Sequence, residues 1–255
     1  MHPPSNHKMQ PLGWYRRLTT RKGRLDAGVF LVEGERAITQ ILGSNPDQIL
    51  EIVSTEEPAV RYWKYPCRIV SVQQMNSICS TRTPQGILAV VRSPVDTYSD
   101  RLPEAVGDRI LLLEDVQDPG NVGTLIRTAA AFGFSGVVLS TNCADPLAPK
   151  CVQPSAGAVL SLWLRRTARY LDLAEELTGR GYTLVATDLE GAEDTSVLRG
   201  KGRLVLALGN EGRGLSDALL DMASHRFRIA TEPQRAESLN VAACGAICMY
   251  LSRED

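Results

Sequence analysis

Chemistry in this chain concentrates in three short polar loops, each lying between an apolar run and a stretch of helical spacing. The first is Asp118-Pro119-Gly120-Asn121-Val122-Gly123, which follows the apolar residues 110–113 and two acids, Glu114 and Asp115. Asn121 is either the cap of the helix that follows or an amide offered to a ligand. Six residues on, Arg127 projects from the polar side of the same helix as a cation that stays protonated. The second loop is Leu208-Gly209-Asn210-Glu211-Gly212-Arg213-Gly214, whose glycines permit close backbone approach to a flat or charged ligand. Its order is GxxGxG and not the GxGxxG of dinucleotide-binding folds, which argues against a nicotinamide-dependent oxidoreductase. A glycine-rich turn with no ligand is the plain alternative. The third loop is residues 229–241, IATEPQRAESLNV. Ser238 reads as the N-cap of an apolar helix over 239–251, and Asn240 as a first-turn amide that needs a partner.

The elements that must position these loops follow from periodicity. Strands are expected at 110–114, 136–140, 162–165, 183–187, 204–208 and 226–229, and helices at 122–132, 151–159, 172–178, 215–221 and 239–251. Apolar strands spaced by helices predict an α/β fold with a mostly parallel sheet covered by helices. In such sheets ligands bind at the carboxyl ends of strands, where all three loops fall. Upstream lies a smaller α/β unit. Its strands are expected at 29–32, 49–54, 67–72 and 87–92, with a basic segment over 15–26 that starts a helix and helical spacing at 36–42. Residues 1–15 read as a flexible lead. The expected division is 1–93, a linker at 94–107 rich in proline and acids, and 108–255.

Composition narrows the class. Of 255 residues, 44% are hydrophobic and 22% charged, which suits a folded chain with a real core. The net charge of −1 hides an asymmetry: residues 1–100 carry 12 Lys+Arg against 9 Asp+Glu, and the remainder carries 16 against 20. The first 25 residues hold six basic side chains (Lys8, Arg16, Arg17, Arg21, Lys22, Arg24) and no acid, a pattern of phosphate contacts or of a solvated end. Six cysteines form no CxxC pair and there are three histidines, so no metal site is expected. Cys244 and Cys248 read as core fillers. Nothing reaches membrane-spanning length or forms a signal-peptide core, so the expected compartment is the cytoplasm.

Together the loops resemble, in order, the three motifs of the SpoU/TrmH-type RNA ribose 2′-O-methyltransferases of the SPOUT superfamily. Residues 118–127 match Asp-Pro-Gly-Asn-Val-Gly-x-x-x-Arg, 209–214 match Gly-Asn-Glu-Gly-x-Gly, and 237–242 match Glu-Ser-Leu-Asn-Val-Ala. The front of the chain resembles that family's L30e-like substrate-binding domain at Phe30-Leu31-Val32-Glu33-Gly34 and Thr83-Pro84-Gln85-Gly86. The third motif departs from the family's Ile-Pro-x-x-Gly: Ile229 is followed by Ala230, proline comes only at Pro233, and the glycine is missing.

The resemblance implies a trefoil knot in the C-terminal domain, an S-adenosylmethionine pocket within it, and a homodimer in which one subunit's arginine helps complete the other's site. It implies cofactor contacts from the backbone around Leu208, Gly209, Ile229 and Leu239, and a polar active-site set of Asn121, Arg127, Glu211, Ser238 and Asn240. The implied substrate is RNA, 23S-type ribosomal RNA ahead of transfer RNA; a catalytically inactive RNA-binding homologue is the other alternative. A ribose hydroxyl is a poor nucleophile that must be deprotonated and aligned. Arg127 is unsuited as the base because guanidinium stays protonated. The expected role is a clamp on the adjacent phosphate and on developing oxyanion charge, with a phosphate oxygen or water taking the proton. Asn121 and Asn240 would orient the nucleotide, and Glu211 would fix its loop or Arg127.

Overall fold

A computed structural model describes residues 10–81, 83–199, 202–232, 234 and 238–253. The chain divides into two compact units, Met1–Val95 with Leu147–Ser161, and Asp96–Pro146 with Leu162–Asp255.

In the first unit α1 (Leu12–Arg17) and α2 (Arg21–Ala27) precede β1 (Val29–Glu33), α3 (Glu35–Ser44), β2 (Ile49–Ser54), β3 (Cys67–Ile69), α4 (Val72–Ile78) and β4 (Ile87–Arg92). The sheet order is β1-β4-β2-β3, with β4 antiparallel to both neighbours. The lead is not loose from Leu12 onward. Tyr15 and Leu18 are fully buried in the core, and the Tyr15 hydroxyl donates to Glu51 Oε1 at 2.6 Å. The basic segment becomes two helices. Arg24 is buried and donates to the Leu18 and Thr19 carbonyls, while Arg16, Arg17, Arg21 and Lys22 stay exposed. Lys8 lies outside the described residues. The strand expected over 67–72 stops at Ile69 because Ser71 caps α4 in a reciprocal capping box with Gln74. That signal, Ser-x-x-Gln, lies within an apolar alternation that reads as a strand.

After β4 come β5 (Arg109–Leu113), α5 (Pro119–Ala131) and β6 (Gly136–Ser140). Next is α6 (Pro149–Ser155), which counts with the first unit and packs against β1. Then follow β7 (Trp163–Thr167), α7 (Tyr170–Gly179), β8 (Thr183–Ala192), β9 (Leu204–Leu208), α8 (Asp217–Met222), β10 (His225–Phe227) and α9 (Val241–Leu251). The sheet order is β10-β8-β9-β5-β6-β7 and every pairing is parallel. β5 and β9 sit at its centre. All of β9, and β5 from Ile110 on, are buried, as strands covered on both faces require. Leu173, Ala174 and Leu177 of α7 and Leu219 of α8 pack one face in a core with Ile110, Leu112, Val205 and Ala207. On the other face α9 lies against α5 and β9. Gly245 makes this approach possible, since a Cβ there would stand 2.4 Å from Leu125 Cδ2 and 2.7 Å from Leu208 Cδ1.

Much of the stretch read as a linker is fastened to the second unit. Thr97 O accepts from Arg166 N at 2.7 Å, Arg101 O from Arg165 Nε at 2.6 Å, and Val106 is buried, its carbonyl taking the Trp163 indole N–H at 2.8 Å.

Candidate active site at the strand ends

β5 and β9 lie in register, Leu113 opposite Leu208, so the first two loops leave the sheet side by side. β6 continues from β5 in one direction and β9 from the other, which makes this the point where strand order reverses and a crevice forms.

In the first loop Asp118 is the helix cap, and Asn121 is not. Asp118 Oδ1 accepts from Asn121 N at 2.8 Å, and Pro119 takes the first helical position, where its missing N–H costs nothing. Gly120 leaves room for that carboxylate, since a Cβ would sit 2.9 Å from Asp118 Oδ1. α5 therefore starts three residues earlier than periodicity suggests, and the Asn121 side chain is released from capping. Its Nδ2 donates to Glu211 Oε1 at 2.7 Å, and its Oδ1 accepts from Asn240 Nδ2 at 3.1 Å.

The second loop is closed by a bridge. Asn210 N donates to Gly214 O at 3.0 Å, and Gly214 N returns a bond to Asn210 O at 2.9 Å. Gly214 has φ +68, and a Cβ on Gly209 would strike the Gly214 backbone at 2.3 Å, so both positions need glycine. Asn210 Oδ1 accepts from Gly212 N at 3.0 Å and Arg213 N at 3.1 Å, holding the turn that carries Glu211.

In the third loop Asn240 is the N-cap of α9, where Ser238 was expected. Its Oδ1 accepts from Ala242 N at 2.9 Å and Ala243 N at 3.3 Å. The apolar run misleads here because Leu239, counted as helical, is 38% exposed and precedes the first turn. Ser238 is exposed with no hydrogen bond among the described residues. Pro233 and Glu237, which carry part of the family comparison, lie outside the described residues.

Asn121, Glu211 and Asn240, one from each loop, thus form a continuous hydrogen-bond chain. Arg127 does not join it. Six residues along α5, it stands about 9 Å up the axis and about 120° round the helix from Asn121. It is exposed, with no ion pair or hydrogen bond among the described residues. The cofactor positions inferred from the sequence occupy the same edge. Leu208 ends β9, Ile229 lies two residues past β10, and Leu239 precedes the α9 cap. Gly209, Ile229 and Leu239 make no backbone hydrogen bond among the described residues, so their amides and carbonyls are open.

Two residues that the sequence displays without a role are Glu114 and Asp115. Buried Glu114 accepts from the Tyr170 hydroxyl and from both Ser216 N and Oγ, each at 2.7 Å. Burial, then the bond to Glu114, raises the Tyr170 phenol above its ordinary value and keeps it a donor. Among the described residues there is no cluster of three or more His, Cys, Asp or Glu able to hold a metal ion, and no helix long and apolar enough to cross a membrane.

The family model for the MRM3-like substrate binding domain matches residues 14–89, and that for the SpoU rRNA Methylase family matches 108–250. The chain is 32% identical over 248 residues to the 23S rRNA (guanosine(2553)-2′-O)-methyltransferase RlmP of Bacillus subtilis (strain 168), covering 95% of this chain and 96% of that one. Among solved structures it resembles the SpoU methyltransferase AviRb of Streptomyces viridochromogenes in complex with AdoMet. That match has TM-score 0.79 and 26% identity, over 96% of this chain and 97% of that one. An AdoMet-bound rRNA methyltransferase of Sinorhizobium meliloti is similar at TM-score 0.77 and 29% identity, over 95% and 93%. With three motif loops meeting at one sheet edge and both halves of the chain matched, the protein belongs to the SpoU rRNA methylase family.

Proposed function

We propose that this protein transfers a methyl group from S-adenosylmethionine to a ribose 2′-hydroxyl of 23S-type ribosomal RNA. The observation that carries the reading is the chain from Glu211 through Asn121 to Asn240, which ties the three motif loops together beside open backbone at Gly209, Ile229 and Leu239. That backbone suits the cofactor: unpaired amides and carbonyls match the edge of an adenine and an amino-acid group, and the absence of a side chain on Gly209 lets the Gly214 backbone close behind it and hold it in place. When bound, S-adenosylmethionine supplies an electrophilic methyl on a sulfonium.

The protein's own groups do the rest. Asn121 and Asn240 each keep a spare amide N–H beyond the bonds they make to each other and to Glu211, and these orient the target nucleotide. Glu211 holds Asn121 in place by a charge-assisted bond. Arg127 grips the phosphate beside the target ribose and offsets charge developing on the 2′-oxygen, while a phosphate oxygen or water accepts the proton.

Arg127 serves the site of a second copy of the chain. It lies off the Asn121 face of its own α5 and is free for a partner. α9 contains no charged residue, yet Ile247 is 39% and Tyr250 62% exposed, an apolar surface suited to cover by another subunit. The C-terminal domain then carries the trefoil knot of its family, and the protein works in the cytoplasm, where its RNA is found.

Ribose methylation mapped in total RNA from cells with and without the protein tests the activity. Loss at one ribosomal position is expected, and an unchanged map sinks the reading. Mixing the Arg127→Ala and Asn121→Ala proteins tests the shared site. Random exchange into dimers restores about a quarter of wild-type activity, and no recovery overturns sharing.

A further inference from the structure

Glu114 and Asp115 lie outside the three motifs, yet the second loop hangs from them. Asn210 Nδ2 donates to the Asp115 carbonyl at 2.9 Å, and six residues later Ser216, the cap of α8, is held by the Glu114 carboxylate through its N–H and its hydroxyl. Glu211 sits between these two tie points. The Asp115 carbonyl can face Asn210 because Asp115 adopts φ +56, a left-handed conformation unusual outside glycine, asparagine and aspartate. Ser140 enforces it from the neighbouring strand. Asp115 N donates to Ser140 Oγ at 2.9 Å, and that hydroxyl donates back to Asp115 Oδ1 at 2.6 Å. Asn142 Nδ2 adds a bond to Oδ2 at 3.1 Å.

We infer that Glu114 and Asp115 are positioning residues for methyl transfer, fixing the glycine loop so that its backbone meets the cofactor and Glu211 meets Asn121. This rests on the methyltransferase reading. A carboxylate at 114 can accept from all its donors at once. An amide there turns its own N–H groups toward Ser216 or Tyr170, forfeits at least one bond and lets the loop shift. At 115 the requirement is a residue that tolerates positive φ and offers Ser140 an acceptor. Asparagine meets both and gives up only the surface contacts of Oδ2, the bond from Asn142 and the 3.5 Å ion pair with exposed Arg213, whereas alanine meets neither requirement.

The test is calorimetric titration of S-adenosylmethionine into the full-length wild type, Glu114→Gln, Asp115→Asn and Asp115→Ala proteins, with methyl-transfer rates and thermal midpoints recorded alongside. Glu114→Gln and Asp115→Ala are expected to weaken cofactor binding by at least about tenfold, while Asp115→Asn stays within about threefold of wild type because it keeps the conformation. A merely structural role would lower the thermal midpoints and leave this order of affinities absent. If Glu114→Gln does not fold, the two Asp115 variants decide the matter between them. Folded variants with wild-type affinity and rate overturn the positioning role alone. A wild-type protein that takes up no S-adenosylmethionine overturns it together with the methyltransferase reading.

Discussion

Replacing Asn121 by alanine probes the meeting of the three loops with little disturbance elsewhere. The side chain makes one bond to a carboxylate, at 2.7 Å to Glu211, and one to a neutral amide, at 3.1 Å to Asn240. A bond to a charged partner contributes about 1.5–3 kcal/mol and a neutral one about 0.5–1.5. Asn121 is half-buried, so water recovers part of each; the lower ends apply and sum to about 2 kcal/mol. At about 1.4 kcal/mol per factor of ten, kcat/KM for methyl transfer should fall about 30-fold. Folding stability should fall by no more than about the same 2 kcal/mol, because the helix start is capped through the Asn121 backbone N–H, which alanine keeps. The assay is transfer of labelled methyl to ribosomal RNA, with a thermal melt as control. A double-mutant cycle with Glu211→Ala adds a second check. The pair act as a unit, so the double variant should lose clearly less than the product of the single losses. An Asn121→Ala protein within threefold of wild type, or two losses that simply multiply, refutes the network as the core of the site.

Other outcomes follow from the same structure. Arg127→Lys and Arg127→Ala should each lower the transfer rate by about 100-fold or more if the guanidinium fork is required, with thermal midpoints unchanged because the side chain is exposed; full activity in Arg127→Ala would refute the clamp. Gly209→Ala forces a Cβ into the Gly214 backbone and opens the Asn210–Gly214 bridge, so isothermal titration should show S-adenosylmethionine binding weakened about tenfold or more, and wild-type affinity would contradict the loop geometry. Tyr15 provides a pH signature in the first unit. Burial, then its bond to Glu51, pushes its phenol up to about 12 from 10.0. A raised folded value favours the protonated form, so this contribution is complete below pH 10 and is lost as pH rises toward 12. In urea denaturation the advantage of wild type over Tyr15→Phe should shrink between about pH 10 and pH 12, and a constant or growing gap would contradict the assignment.

Local signals in this chain are strong because they rest on contacts a few residues apart. The apolar runs of β5 and β9 and the glycines of 209–214 read correctly as strands and tight loop, whereas Pro119, which reads as part of a turn before a helix over 122–132, itself opens α5. The sequence misleads where two local signals compete. Asp118 and Asn121 are both cap formers, as are Ser238 and Asn240, and only the backbone path shows which oxygen meets the free N–H groups. Residues 67–72 carry both an alternating pattern and a capping box, and the box prevails once Val72 is left to solvent.

By itself the sequence determined the α/β class, the three polar loops and the residue types placed in them, since periodicity and turn chemistry are written within a few residues. Tertiary structure alone decided which strands are neighbours, because backbone pairing carries no side-chain code. Only the placing of β9 beside β5 brings Glu211 within 2.7 Å of Asn121 across 90 residues of chain, and only the packing of α9 on α5 brings Asn240 to the same amide across 119. It also decided that Arg127 turns away from that cluster, and that Glu114 and Asp115, two acids with no evident task in the sequence, hold the loop on which the site depends.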